Sequence, residues 1–417
     1  MMLSSSRYRR LILLLGCIVA NLIVSFYAVA TFLALTGMSE YGMDRLSDDG
    51  RFRKSTTVIS SHSSLTLWTA GENRTERRWR YDGLMYTYVL EPPGTAEGRY
   101  CDRVSTANQT VLIVVCSAVE NIDRRKAIRS TWGNSTLLSA IGARLVFVVA
   151  RADPTRSPPG IERRVVAEHR RQGDVVQADF IDDYVNLTAK TVAALRWEAR
   201  ACPRVRYVMK SDDDLYVDVS ALTRRLGEEC TTQMSTFGVD SDAADAFIMG
   251  QVVDSARPVR DRRSKWYTPT SIYPAEFYPP YTSGTGYVLG ASVVRRLQAL
   301  LDAKSGVARP FWLEDVFITG MLAASLPDVR LVHDARFNFR PTQRVRRRRR
   351  RPAGVVGGRA TGVEDNEACA YRSAITVHDL TPTELVGLWK RLRILRPSHC
   401  TGDNREPEDS NSDDEGQ

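Results

Sequence analysis

"YVMKSDDDLYVD", residues 207–218, holds an apolar, strand-like run that feeds straight into three aspartates and leaves through apolar residues again. A buried strand ending this way sets carboxylates at the mouth of a crevice, where open α/β sheets bind ligands. Carboxylate oxygens are hard ligands suited to Mg²⁺ or Mn²⁺. Asp212 and Asp214 are therefore candidate ligands for a cation that grips the diphosphate of a nucleotide-sugar. The plainer reading is a polar turn between two strands, since Asp is common in turns. The flanking sequence decides between the two.

Upstream, apolar runs of strand length alternate with helical patterns. "MYTYVLEPP" (85–93) reads as an edge strand stopped by two prolines. "VLIVVC" (111–116), "RLVFVVA" (144–150), "DVVQADF" (174–180) and "RYVMK" (206–210) read as buried strands. Between them, 123–132, 161–171 and 186–201 read as helices. Such alternation predicts parallel βαβ units in a doubly wound sheet. Downstream, a helix is expected to about Glu229, a strand at 246–253, a Tyr-, Pro- and Gly-rich loop at 265–290, and a helix over 311–326. Loops of this composition build sites, and their aromatic rings either stack on a sugar or pack the loop onto the core. Glu314 and Asp315 open the last helix, where carboxylates also serve as simple complements to the helix dipole.

The chain has 417 residues, 43% hydrophobic and 26% charged, the composition of a globular protein. Its net charge of +9 is concentrated in one block, Arg344 and Arg346 to Arg351, set against an acidic tail after Cys400. The global charge thus gives no reason to expect nucleic acid as a partner. Residues 11–36 carry no charge and would span roughly 39 Å as a helix, enough for a hydrocarbon core of about 30 Å. Arg7, Arg9 and Arg10 precede this span, which puts the N-terminus in the cytosol and the rest in the lumen. A cleaved signal peptide is the competing reading, but its apolar region is normally shorter, about 7–15 residues. The expected layout is a cytosolic tail (1–10), a signal-anchor (11–36), a stem (37–80), a working domain (81–400) and an acidic tail (401–417).

Sequons at Asn73, Asn108, Asn134 and Asn186 agree with a luminal domain, each being a weak signal alone. Six cysteines follow the span: Cys101, Cys116, Cys202, Cys230, Cys369 and Cys400. In an oxidising compartment they can form three bridges in any of fifteen pairings. Cys116, inside an apolar run, also reads as a buried thiol.

Six blocks in order resemble those of glycosyltransferase family 31, the inverting β1,3-galactosyl- and N-acetylglucosaminyltransferases. They are "RRKAIRSTWG" (124–133), "DFIDDYVNLTAKT" (179–191), "KSDDDLYVD" (210–218), "YPPYTSGTGYVL" (278–289), "EDVFITG" (314–320) and "ITVHDLTPTELVGLW" (375–389). The resemblance implies a GT-A fold, an α/β doubly wound mixed sheet flanked by helices behind one transmembrane helix. It also implies a UDP-sugar donor, an acceptor glycan and Mn²⁺. Carried over, Asp212, Asp214 and His378 hold the metal, and Asp315 is the catalytic base. Arg129, Lys190, Asp213, Gly284 and Gly286 shape the nucleotide-sugar pocket. Trp266, Tyr267, Tyr281 and Glu314 are the candidate contacts for sugar or acceptor. Without the resemblance, a single His after a strand reads as structural.

The chemistry follows from elementary demands. The bond from sugar C1 to phosphate breaks as an acceptor hydroxyl attacks from the opposite face. A carboxylate on that face takes the hydroxyl proton, and a divalent cation stabilises charge on the departing UDP. One displacement inverts the anomeric carbon. The chain departs from the family pattern between Arg340 and Glu367, with an Arg-rich insertion at 344–366 that reads as a solvated loop. A protease site and a docking segment for the acidic tail are the other readings. The expectation is a Golgi β1,3-glycosyltransferase using UDP-galactose, favoured by the likeness of 86–101 to the galactosyltransferase branch. UDP-N-acetylglucosamine and UDP-N-acetylgalactosamine remain open, as does a catalytically silent luminal protein.

Overall fold

The computed structural model describes residues 87–102, 111–237, 245–303, 310–326, 328–338, 368–369, 371–395 and 400. The expected anchor, stem, Arg-rich insertion and acidic tail, and the sequons at Asn73 and Asn108, lie outside the described residues. No helix among the described residues is long and apolar enough to cross a membrane.

The first half of the domain is the expected alternation. Strand β1 (Tyr88–Leu90) and β2 (Val111–Cys116) lead to helix α1 (Ile122–Arg129) and a short α2 (Ser135–Ala140). Next come β3 (Ala143–Arg151), α3 (Ile161–Gln172), β4 (Val175–Ile181), a 3₁₀ turn (Tyr184–Asn186) that runs into α4 (Leu187–Ala201), and β5 (Tyr207–Asp212). β4, β3, β2 and β5 lie parallel in that order, with β1 antiparallel at the edge. All six residues of β2 are buried, because helices cover both faces of a parallel sheet. Successive side chains point to opposite faces. Val111, Ile113 and Val115 join a core with Ile128 of α1 and Val165 of α3, while Leu112 and Val114 join Val192, Leu195 and Trp197 of α4.

The second half departs from that pattern. β6 (Tyr216–Val217), α5 (Val219–Phe237), β7 (Phe247–Val253), β8 (Tyr281–Gly290), α6 (Ala291–Ala303) and β9 (Arg330–His333) follow. β8 pairs antiparallel with β5 and with β7, so the eight-stranded sheet is mixed, in the order β1-β4-β3-β2-β5-β8-β7-β9. The stretch 265–290, read from sequence as one loop, therefore ends in a strand next to the aspartates. Its Gly and Tyr content hid the strand. Gly286 faces Ser211 in register, and a Cβ on it would come within 3.0 Å of Leu215. The helix expected over 311–326 is a π-helical segment, Val316–Leu322, followed by a 3₁₀ turn, Ala323–Ser325.

The chain closes with β10 (Thr376–Val377) and α7 (Pro382–Ile394). β10 pairs antiparallel with β6, Thr376 opposite Val217 and Val377 opposite Tyr216. Helix α7 starts with a reciprocal capping box between Thr381 and Glu384 and with Pro382 in its first turn. Two disulfides join Cys101 to Cys202 and Cys369 to Cys400. The third bridge that six cysteines allow does not form, since Cys116 and Cys230 are buried as thiols inside β2 and α5.

Candidate active site

Parallel pairing of β2 with β5 sets Asp212 opposite Cys116, at the carboxyl edge of both strands. The three aspartates then take different partners. Asp213 accepts hydrogen bonds from Ser117 Oγ (2.7 Å) and Asn121 Nδ2 (2.9 Å), which fold the β2–α1 loop against it. Asp212 Oδ1 accepts from Lys210 Nζ at 2.6 Å. Asp214 Oδ1 is buried with no hydrogen bond, and His378 Nε2 lies 3.4 Å from it.

The histidine comes from the far end of the chain. Pairing of β10 with β6 carries it there, and a sharp bend follows, with Asp379 at φ 67°. Asp is among the few residues that tolerate this left-handed region. The bend lets Leu380 N donate to Asp214 O at 3.1 Å, closing the segment over the aspartates. Ligand atoms of Asp212, Asp214 and His378 all fall within 4.8 Å of one another. Two carboxylates, one imidazole and an unsatisfied buried carboxylate oxygen fit a hard divalent cation. Burial raises the Asp214 carboxyl above its usual range and the nearby Asp212 adds to this, while the neighbouring His378 and Arg124 pull it down.

Asp315 caps the π-helical segment. Its Oδ1 accepts from Val316 N at 2.9 Å and its Oδ2 from Gly284 N at 3.0 Å. Burial lifts its pKa above the usual carboxylate value, and these two N–H groups oppose the rise. Gly284 packs tightly on this carboxylate, where a Cβ would stand 3.0 Å from Asp315 Oδ2 and force it to shift.

The same glycine accepts a hydrogen bond at its carbonyl from Lys210 Nζ. Lys210 is buried, and Glu314 Oε2 lies 3.6 Å from its ammonium. Burial disfavours that charge, but Asp212 and Glu314 outweigh it and hold the lysine protonated. One buried lysine and one glycine thus connect Asp212, a candidate metal carboxylate, to Asp315. Lys210 escaped notice in the sequence, although a lysine at an interior position of an apolar strand calls for buried counter-charges.

The other expected residues divide. Lys190 reaches the carboxyl edge, where Nζ donates to Asp182 Oδ1 (2.6 Å) and Ser117 O (2.8 Å). Asp182 Oδ2 in turn accepts from Val119 N and Ala150 N, tying together the ends of β2, β3 and β4. Arg129 does not come to this edge. Its guanidinium bonds Asp174, just before β4 at the opposite edge, and Glu168, and it stacks 4.5 Å over Phe147. Glu314 lies behind Asp315 with a side chain 1% exposed, accepting from Tyr287 OH at 2.5 Å.

Trp266 is 48% exposed and donates from Nε1 to Tyr184 OH at 3.1 Å. Tyr184 is equally exposed, and the charges of Asp315 and Asp212 both reach it. This pair of rings near Asp315 was only half anticipated, through Trp266. Tyr281 begins β8 against Tyr278 and within the field of Asp315, and Tyr267 N bonds Ser264 O. Of the two described sequons, Asn134 uses its side-chain oxygen to cap α2 beside exposed Ser135 and Thr136. Asn186 donates its amide to Ile181 O, and its Thr188 is buried against Phe311 O.

Residues 123–334 match the family model described as galactosyltransferase. The chain is 30% identical over 291 residues to mouse (Mus musculus) Beta-1,3-galactosyltransferase 1, covering 70% of this chain and 76% of that protein. It is 27% identical over 321 residues to the Homo sapiens Beta-1,3-galactosyltransferase 2, covering 77% and 65%. Mouse UDP-GlcNAc:betaGal beta-1,3-N-acetylglucosaminyltransferase 7 is 30% identical over 282 residues, covering 67% and 63%. Among solved structures, mouse Xyloside xylosyltransferase 1 in its apo form aligns over 65% of this chain and 97% of its own, with TM-score 0.30 and 13% identity. At that score the structural likeness carries no weight.

Proposed function

This chain belongs to the galactosyltransferase family, glycosyltransferase family 31, and from that premise we propose that it is an inverting β1,3-glycosyltransferase with a GT-A fold. Its donor is a UDP-sugar and its acceptor a glycan on glycoprotein or glycolipid. The observation that carries the reading is the chain of contacts from Asp212 through Lys210 and Gly284 to Asp315. These contacts tie Asp212 and Asp315, the residues we read as metal ligand and proton acceptor, to neighbouring strands, which supports a single displacement.

Asp212, Asp214 and His378 are the residues that would hold Mn²⁺. When bound, that ion supplies charge neutralisation for the departing diphosphate. Asp315 accepts the proton of the attacking hydroxyl. Its two backbone hydrogen bonds aim the carboxylate, and burial gives it a pKa above an ordinary carboxyl, so it binds the proton more firmly. Lys210 balances Asp212 and Glu314 and keeps the two sides of the site at a fixed spacing. Trp266 and Tyr184 offer ring faces for the apolar side of a sugar. Lys190, through Asp182 and Ser117, holds the floor beneath the nucleotide.

Galactose is the favoured donor sugar, from two galactosyltransferase relatives and the character of residues 86–101. The apolar span at 11–36 supports a type II anchor in the Golgi membrane with the catalytic domain in the lumen. The test is Mn²⁺-dependent transfer by the detergent-purified chain from UDP-galactose, UDP-N-acetylglucosamine and UDP-N-acetylgalactosamine to a panel of simple glycosides. Transfer from UDP-galactose, lost in Asp214→Ala, is the expected result. Transfer from another donor reassigns the sugar. Absence of both UDP binding and turnover with every donor removes the enzymatic reading.

A further inference from the structure

Arg124, in the first turn of α1, stands beside the aspartates with its guanidinium among three groups. Nη1 donates to Leu380 O at 3.2 Å and lies 3.7 Å from Asp214 Oδ2, while Nε lies 3.8 Å from Asp213 Oδ1. Both ion-pair separations exceed hydrogen-bond length, so the charge is shared with the carboxylates and locked to neither. The side chain is 30% exposed, whereas that of its neighbour Arg125 is wholly buried against Glu168. Asp214 thus meets His378 at one oxygen and Arg124 at the other.

We propose that Arg124 couples the two ligands of this site, making the affinity of the D-x-D carboxylates for a divalent cation depend on a nucleoside diphosphate. The inference rests on the nucleotide-sugar reading above. A guanidinium near Asp214 offsets part of the negative charge that attracts a cation to the same carboxylate, and two positive charges around one carboxylate repel each other. A diphosphate supplies negative charge of its own, and the planar fork of N–H donors matches phosphate oxygens. Once engaged there, the guanidinium ceases to oppose the cation. Cation and nucleotide then each tighten the other, and the two effects are equal by reciprocity. A purely architectural role, as a latch on the Leu380 carbonyl, predicts no such coupling.

The experiment uses the full chain in detergent as wild type, Arg124→Gln and Arg124→Lys. Electron paramagnetic resonance of free Mn²⁺ reads cation affinity with and without UDP, corrected for the Mn²⁺–UDP complex in solution. Calorimetry reads UDP affinity with and without Mn²⁺. In wild type, UDP should tighten Mn²⁺ binding by about tenfold or more, within the usual range of coupling. In Arg124→Gln, Mn²⁺ alone should bind a few-fold tighter, and the gain on adding UDP should shrink by about fivefold, with the same shrinkage seen from the UDP side. Arg124→Lys keeps the charge and loses the fork, so Mn²⁺ alone should bind as in wild type with only part of the gain. A gain in Arg124→Gln within twofold of wild type overturns the proposal, even if the melting temperature falls as a lost latch would require. Should the Gln variant fail to fold, an unaltered gain in the Lys variant overturns it. Wild type that binds neither ligand removes the nucleotide-sugar reading itself, whereas normal wild type with a normal Gln variant removes only the coupling.

Discussion

Asp315 is held between opposing demands: burial favours its neutral form, while the N–H groups of Gly284 and Val316 favour its charged form. Burial prevails, so its pKa lies above that of an ordinary carboxyl. The proposed base works only when deprotonated, so transfer should rise with pH through this elevated value and fail below it. Asp315→Asn cannot accept a proton, and it keeps an acceptor for only one of the two backbone N–H groups that the carboxylate binds. Transfer should drop by about 10²–10⁴-fold with UDP affinity unchanged, as initial rates and calorimetry will report. Loss of UDP binding in that variant would make Asp315 structural. At this scale the sequence was unevenly legible. The aspartate run announced itself by its apolar flanks, but His378 and Asp315 are ordinary residues in ordinary contexts, and only the block pattern singled them out. Lys210, Tyr184 and Arg124 went unread because each acquires its role from partners far along the chain.

Among the elements, α4 carries an acid that the fold does not welcome. Glu198 is buried, which pushes its carboxyl from 4.5 up to about 8, with Arg295 pulling the other way. Below pH 4.5 the group is protonated in both the folded and unfolded chain and costs nothing. Between there and about 8 the folded state keeps a proton that the unfolded state has released, so stability falls as pH rises. Glu198→Gln removes that loss. Its melting temperature should match wild type at pH 4.5 and exceed it by several degrees at pH 8, at roughly 2–4 °C per kcal/mol. A constant offset across this range would contradict the argument. The parallel strands were legible because a strand covered on both faces must be apolar throughout. β8 was not, since its interior glycines serve close approaches to Leu215 and Asp315 and carry no hydrophobic pattern. The π-helical segment was likewise invisible, being set by the cap and by Thr319 Oγ1 donating to Asp315 O, and not by periodicity.

For the molecule as a whole, the Cys101–Cys202 bridge fastens the segment bearing β1 to the end of α4 across 101 residues of chain. A loop of that length contributes about 4–5 kcal/mol by the chain-entropy estimate. Tyr100 reinforces the attachment, stacked edge-on against Trp197 and donating to Leu145 O. Replacing both cysteines by Ser should lower unfolding stability by roughly 4 kcal/mol in a urea titration. An unchanged midpoint would mean that the aromatic packing alone holds the segment. The pairing of β6 with β10 reaches further in its consequence, because it makes the last part of the domain a component of the site that the aspartates begin. During synthesis the aspartates leave the ribosome early, and their imidazole partner follows only after the rest of the sheet. A chain ending before β10 keeps the two candidate cation carboxylates and lacks the imidazole, so under the proposed metal role it should hold the cation more weakly than the full chain.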